Sequence, residues 1–234
     1  MGDNIDKIII HVHGGGFVAM SSGSHQNYTR IWANETNVAI FSIDYRLSPK
    51  CQFPAALNDV WQVYYYLLER GCKDLGINGG RTPKKVILVG DSAGGNLVAA
   101  ITIMAIQRGF RVPDGIFLAY PGLNLSKYDF TPSMLLSLDD PILPYPFLKM
   151  CLESYSGSTT YADSAITDCP YMSPIKASDE VLSKFPPTKI MVGSNDPLRD
   201  EGFKLALRLV YAMICVITLC LGNWVSKLNL KSLS

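Results

Sequence analysis

Lys85-Val86-Ile87-Leu88-Val89-Gly90-Asp91-Ser92-Ala93-Gly94-Gly95-Asn96-Leu97-Val98-Ala99-Ala100-Ile101 is the stretch that decides the fold. Lys85 to Gly90 is a short run rich in β-branched and aliphatic residues and reads as a buried strand. From Ala93 to Arg108 the chain is apolar almost all round, as expected of a helix packed under a sheet. Between them stands Gly90-Asp91-Ser92-Ala93-Gly94, a Gly-x-Ser-x-Gly pattern at a strand-to-helix turn. Such a turn must be tight and strained to project the serine hydroxyl, and glycines on either side leave room for neighbouring backbone. Ser92 is therefore the expected nucleophile, with Gly90 and Gly94 supporting the turn. Asp91 fills the variable position and needs no catalytic role.

Outward from this turn, strand and helix alternate. Lys7 to His13, Val38 to Ile43, Gly115 to Tyr120 and Thr188 to Val192 read as further strands. Helical lengths run from about Ser24 to Thr36, from Pro54 to Arg70 with Gly71 as a stop, and from Arg199 to Val210. Alternation of this kind predicts an α/β domain with a mainly parallel sheet flanked by helices. From Pro121 to Pro187 the pattern loosens around nine prolines, with a helix near Phe147 to Tyr155, and this stretch is expected to form a lid or pocket wall. The expected organisation is a core over residues 1–210, a lid-like insertion at about 121–187, and a hydrophobic tail over 211–234.

His13-Gly14-Gly15-Gly16 closes the first strand and can present successive backbone N–H groups to one space, which is how an oxyanion is held. Each donor aimed at a developing oxyanion is worth about 3–4 kcal/mol. His13 is expected to fix this turn by hydrogen bonding. His11 lies on the same strand face, but two histidines without a further ligand make a poor zinc site. His25 is expected to cap or flank a helix, and Trp32, Trp61, Tyr64, Tyr65 and Tyr66 to pack.

These motifs together resemble the hormone-sensitive-lipase-like esterases of the α/β-hydrolase fold. The histidine–glycine loop, the Gly-Asp-Ser-Ala-Gly turn, Asp44-Tyr45-Arg46-Leu47-Ser48-Pro49 and Phe53-Pro54-Ala55-Ala56 all match that family, from about Lys7 to Val210. The resemblance implies a carboxylic ester hydrolase acting through an acyl-enzyme on a small ester or lipid. It assigns the oxyanion donors to the backbone amides of Gly15, Gly16 and Ala93, and the acid to Asp196. Independently, Asp196 follows a strand and lies downstream of Ser92, as the order serine, acid, histidine requires, with Asp200 as the alternative. No cofactor and no metal are implied. The chain departs from the family in two ways. It begins almost at the oxyanion strand, and it has no histidine after His25, whereas the family places its catalytic histidine after the acid. It thus reads as shortened at both ends and impaired as an esterase. A rival reading is a small-ligand-binding protein on the same scaffold, since plant gibberellin receptors resemble this family while having lost the histidine.

Composition removes other classes. A net charge of +1 from 21 basic and 20 acidic residues offers no basic field for nucleic acid. Six cysteines without a Cys-x-x-Cys pair fit reduced thiols rather than a zinc cluster or a disulfide scaffold. The acidic start before the first strand has no signal-peptide pattern, so a cytoplasmic location is expected. Val210 to Val225 carries no charge and approaches the length of a membrane span, which raises a second rival, a membrane-associated interaction protein.

Overall fold

The computed structural model describes residues 6–76, 80–126, 130–157 and 167–221. Six strands form one parallel sheet: β1 (Lys7–Val12), β2 (Ala39–Ile43), β3 (Lys85–Asp91), β4 (Gly115–Ala119), β5 (Thr188–Gly193) and β6 (Val216–Leu221). Their order across the sheet is β2-β1-β3-β4-β5-β6. The main helices are α1 (Gln26–Thr36), α2 (Ala55–Tyr66), α3 (Ala93–Gln107), α4 (Pro132–Leu136), α5 (Tyr145–Ser156), α6 (Asp179–Leu182) and α7 (Arg199–Tyr211).

The strand order explains where a site belongs. From β1 the chain steps outward to β2, crosses back over β1 to β3, and then proceeds the other way through β4, β5 and β6. The loops leaving the carboxyl ends of β1 and β3 therefore diverge and open a crevice between them, the place where open α/β sheets bind ligands.

The core follows from the sequence pattern. Ile8, Ile10, Val12, Val86 and Leu88 are fully buried in the two central strands. Helix α3 packs on β1, β3 and β4, and every residue from Ala93 to Ala105 is buried, which is why it has no polar face. Helix α2 lies against α3, α1 against β2, and α7 against β5 and β6. Trp61, Tyr64 and Tyr65 gather around Phe110, so these aromatic residues are packing residues. In the proline-rich stretch α5 forms where a helix is expected, while the short α4 and α6 begin at Thr131 and Ser178, whose hydroxyls cap them.

The uncharged run from Val210 requires a correction. Helix α7 ends at Tyr211, a turn follows, and Val216–Leu221 pairs in parallel with β5, Thr188 opposite Val216 and Gly193 opposite Leu221. The β-branched Val216, Ile217 and Thr218 suit an edge strand, and the run lacks charge because it builds sheet. No helix among the described residues is long and apolar enough to cross a membrane, so membrane association through residues 210–225 is not supported. Residues 222–225 lie outside those described.

Leu97, with no exposed surface, anchors α3 in the main core. Leu97→Ala is expected to cost about 2–5 kcal/mol in a urea unfolding measurement.

Candidate active site

Ser92 lies between β3 and α3 with φ 52° and ψ −118°, a conformation an L-residue adopts only under restraint. The restraints are visible on both sides of it. Its amide donates to the Ala119 carbonyl at 2.9 Å, and its carbonyl accepts from Asn96 at 3.1 Å and from Gly122 at 3.3 Å. Gly94 brings the start of α3 onto the end of β1: a methyl there would overlap the Val12 carbonyl oxygen and lie 2.6 Å from that of His13. The serine itself is half-buried.

The glycine loop meets this turn directly. A methyl on Gly14 would overlap the Asp91 carboxylate and approach the Asp91 carbonyl oxygen to 2.9 Å. Gly15, at φ 110°, closes a tight turn in which its carbonyl accepts from Val18 at 3.1 Å and Ala19 at 3.0 Å. The amides of Gly15, Gly16 and Ala93 donate to no acceptor among the described residues. Behind Gly16 stands the Cys151 thiol of α5, pushed up to about 11 by burial. Next to it Phe17 stacks on Tyr155 of the same helix with ring centroids 3.8 Å apart. His13 Nδ1 donates to the Gly14 carbonyl at 2.6 Å, and its ring stacks on Tyr45, whose hydroxyl donates to the His13 carbonyl at 2.9 Å. Burial holds the His13 ring below the usual histidine range.

Asp91 turns away into a buried polar cluster. Its carboxylate accepts from His25 Nε2 at 3.2 Å and from the Tyr28 hydroxyl at 3.0 Å. His11 Nε2 meets the Tyr28 oxygen at 2.8 Å, and His11 Nδ1 lies 2.7 Å from the Ser42 hydroxyl. Burial alone would raise the Asp91 carboxyl, but the hydrogen bond from His25 and the nearby His11 ring, 3.6 Å away, hold it far below the usual range. The bond to Asp91 raises His25 in turn. His25 does stand at the start of α1, yet its side chain makes no cap bond there. Sequence reasoning missed this cluster, because Tyr28 and His25 are distant from Asp91 along the chain and no spacing links them.

Asp196 follows β5 at the same carboxyl edge of the sheet. Leu198 N donates to its Oδ1 at 2.8 Å. Burial, with Asp140 nearby, outweighs that amide and Arg199 and raises the carboxyl to about 6. Asp200 is occupied: Arg199 Nε and Nη2 each donate to Oδ1 at 3.0 Å and the Ser133 amide donates to Oδ2 at 2.8 Å. Tyr120, which follows β4, has its hydroxyl raised by burial first and then by the charges of Asp91 and Asp196. A cavity of about 490 Å³ flanks the acid turn, lined by Leu135, Leu136, Leu138, Asp140, Ser194 and Arg199, and Ser92 is not part of its wall. Glu201, which the sequence did not flag, is fully buried and accepts from the Leu123 and Asn124 amides at 2.9 Å each. No group of three or more His, Cys, Asp or Glu side chains among the described residues is arranged to hold a metal.

Residues 9–216 match the α/β hydrolase fold family. The chain is similar to hormone-sensitive lipase of Mus musculus, 46% identical over 151 residues, covering 64% of this chain and 19% of that protein. It is also similar to esterase LipI of Mycobacterium tuberculosis, 32% identical over 211 residues, covering 89% of this chain and 61% of the relative. Among solved structures, carboxyl esterase 2 of Tuber melanosporum superposes with a TM-score of 0.84 at 27% identity, covering 92% of this chain and 66% of that one. The hyperthermophilic esterase of Pyrobaculum calidifontis gives 0.82 at 31% identity, covering 95% and 67%. The chain thus spans about a fifth of the lipase and three fifths of the bacterial esterase.

The raised carboxyl of Asp196 has a thermodynamic consequence. Its folded value of about 6 lies above the ordinary 3.8, so between these values the folded state holds more protons and stability falls as pH rises. Asp196→Asn is therefore expected to stabilise the protein above pH 6, by on the order of 1–3 kcal/mol, and to be neutral below about pH 4. Urea unfolding at the two extremes checks this, and a loss of stability at the higher pH would identify Asp196 as a structural anchor.

Proposed function

Because the chain belongs to the α/β-hydrolase fold family, among the hormone-sensitive-lipase-like esterases, we propose that its site is built to cleave carboxylic esters with Ser92 as nucleophile. The observation that carries this reading is the pairing of a restrained serine at φ 52° with a glycine loop whose Gly15 and Gly16 amides have no acceptor among the described residues. Ser92 Oγ adds to the acyl carbon, and the carbonyl oxygen becomes an oxyanion received by the amides of Gly15, Gly16 and Ala93. Collapse expels the alcohol, which takes up the serine proton, and water then cleaves the acyl-enzyme. The substrate class is a small carboxylic ester or lipid.

The proton transfers are the weak point of the chain. A triad needs a histidine between Ser92 and Asp196, and all three histidines precede Ser92 and are engaged elsewhere. Losing a triad histidine costs on the order of 10⁶ in turnover, while oxyanion binding still leaves roughly 10³–10⁴ over water. The 234-residue chain is therefore a slow esterase at best. The same shortage favours the second reading, a binder of small carbonyl ligands on this scaffold.

Two experiments test the proposal. A fluorophosphonate probe should label Ser92 slowly, and labelling that survives Ser92→Ala would remove the nucleophile. The second uses the position of β6: Ser194 N donates to the Leu221 carbonyl at 2.8 Å, so the carboxyl end of β6 reaches the acid turn. Replacing residues from Gly222 onward with a segment carrying a histidine should raise hydrolysis of a short-chain nitrophenyl ester by about 10²–10⁴-fold. A folded graft no faster than its parent would favour the binding protein.

A further inference from the structure

Two residues outside the proposed chemistry, His25 and Asp91, sit where the glycine loop and the serine turn meet. Each side of the His25 ring faces an acceptor that has no proton to give. His25 Nδ1 lies 3.1 Å from the Ser21 carbonyl, with the Ser24 hydroxyl oxygen also near it at 3.0 Å. On the other side of the ring Nε2 faces the Asp91 carboxylate at 3.2 Å. A ring that donates to both is an imidazolium. The second oxygen of Asp91 takes the Tyr28 proton, which leaves the Tyr28 oxygen to accept from His11.

The pair is buried, with His25 6% and Asp91 8% exposed, and it spans the two parts of the site. Asp91 precedes Ser92 and carries Gly14 against its carboxylate. Through Nδ1, His25 grips Ser21 on the segment that leads out of the glycine loop. We propose that His25 and Asp91 are positioning residues, an imidazolium–carboxylate pair that ties the glycine loop to the serine turn, so that the loop keeps its oxyanion-binding shape only while His25 holds both ring protons. Loss of either proton sets a ring lone pair against the Asp91 carboxylate or the Ser21 carbonyl, and one end of the tie opens. The proposal rests on reading Gly14–Gly16 as the oxyanion loop.

The direction with pH follows from the partners. His25 is raised above the ordinary 6.5 by its bond to Asp91, so the tie is complete below that value and is lost as pH rises through the folded one. The other titratable groups facing His25 are Asp91 from β3, His11 and His13 from β1, and Tyr28 from α1. Asp44, after β2, lies 4.0 Å from His13 and receives the Ser22 amide and hydroxyl at 2.6 and 2.8 Å. His13 is lowered, so its own step falls on the acid side of His25.

Nitrogen-15 spectra of the 234-residue chain across the neutral range test this. The expected result is that both His25 ring nitrogens are protonated at neutral pH, with a midpoint above 6.5. The Gly14, Gly15 and Gly16 amides should shift with that same midpoint. Asp91→Asn should bring the His25 midpoint to 6.5 or below, and His25→Gln should abolish the step at the three glycines. A singly protonated ring at neutral pH, or glycine amides that ignore the His25 midpoint, overturns the proposal; the unsubstituted chain decides this even if neither variant folds. A trifluoromethyl ketone, followed by fluorine spectra, separates this from the esterase reading. If no serine adduct forms at any pH while the glycines still follow His25, the esterase reading fails and the tie stands. An adduct whose affinity is indifferent to the His25 midpoint leaves the esterase reading intact and overturns the tie.

Discussion

The amino end of α3 rests on the last carbonyl groups of β1 because Gly94 has no Cβ to hold them apart. That approach fixes the depth at which the chain must turn out of β3, and the turn can reach α3 from there only with Ser92 at positive φ. The strain is sustained by hydrogen bonds from β4 and the loop behind it, through Ala119 and Gly122. Gly14 continues the same contact on the other side, lying flush on Asp91. Two neighbouring strands whose connections diverge, and two glycines that let their ends touch, are enough to bring the serine turn and the glycine loop together.

Four carboxyl groups near that crevice show how environment divides one functional group into different tasks. Asp91 and Asp200 are surrounded by donors and remain charged, so they organise structure. Glu201 is sealed off, raised to about 7 by burial, and spends one oxygen on two backbone amides. Asp196 is buried and makes no ion pair among the described residues, a condition that raises its carboxyl to about 6 and costs stability when it is charged.

The sheet was legible because parallel strands are buried on both faces and read as short β-branched runs, and the tight turn at Ser92 was legible because its glycine pattern stands where a strand gives way to a helix. Helices α4 and α6 escaped notice, since an element of four or five residues has no periodicity to detect. Strand β6 was mistaken for a candidate span for the opposite reason: an uncharged run has one signal and two causes, and only pairing with β5 separates them. The hold of the Arg199 guanidinium on Asp200 was not legible either, because it depends on where that side chain points. His25 was legible as flanking a helix but not as the partner of Asp91, which lies 66 residues away on β3.

Cys151 and Tyr155 of α5 back Gly16 and Phe17, so the helix that borders the crevice also forms the rear wall of the loop that would steady the reacting oxygen. The shape of the glycine loop is therefore coupled to the packing of a helix more than a hundred residues further along the chain. A substitution at Cys151 or Tyr155 moves the backstop of Gly16 and Phe17 as well as the helix itself. Substitutions are easier to accommodate along the outer face of that helix, where Phe147 and Met150 are exposed.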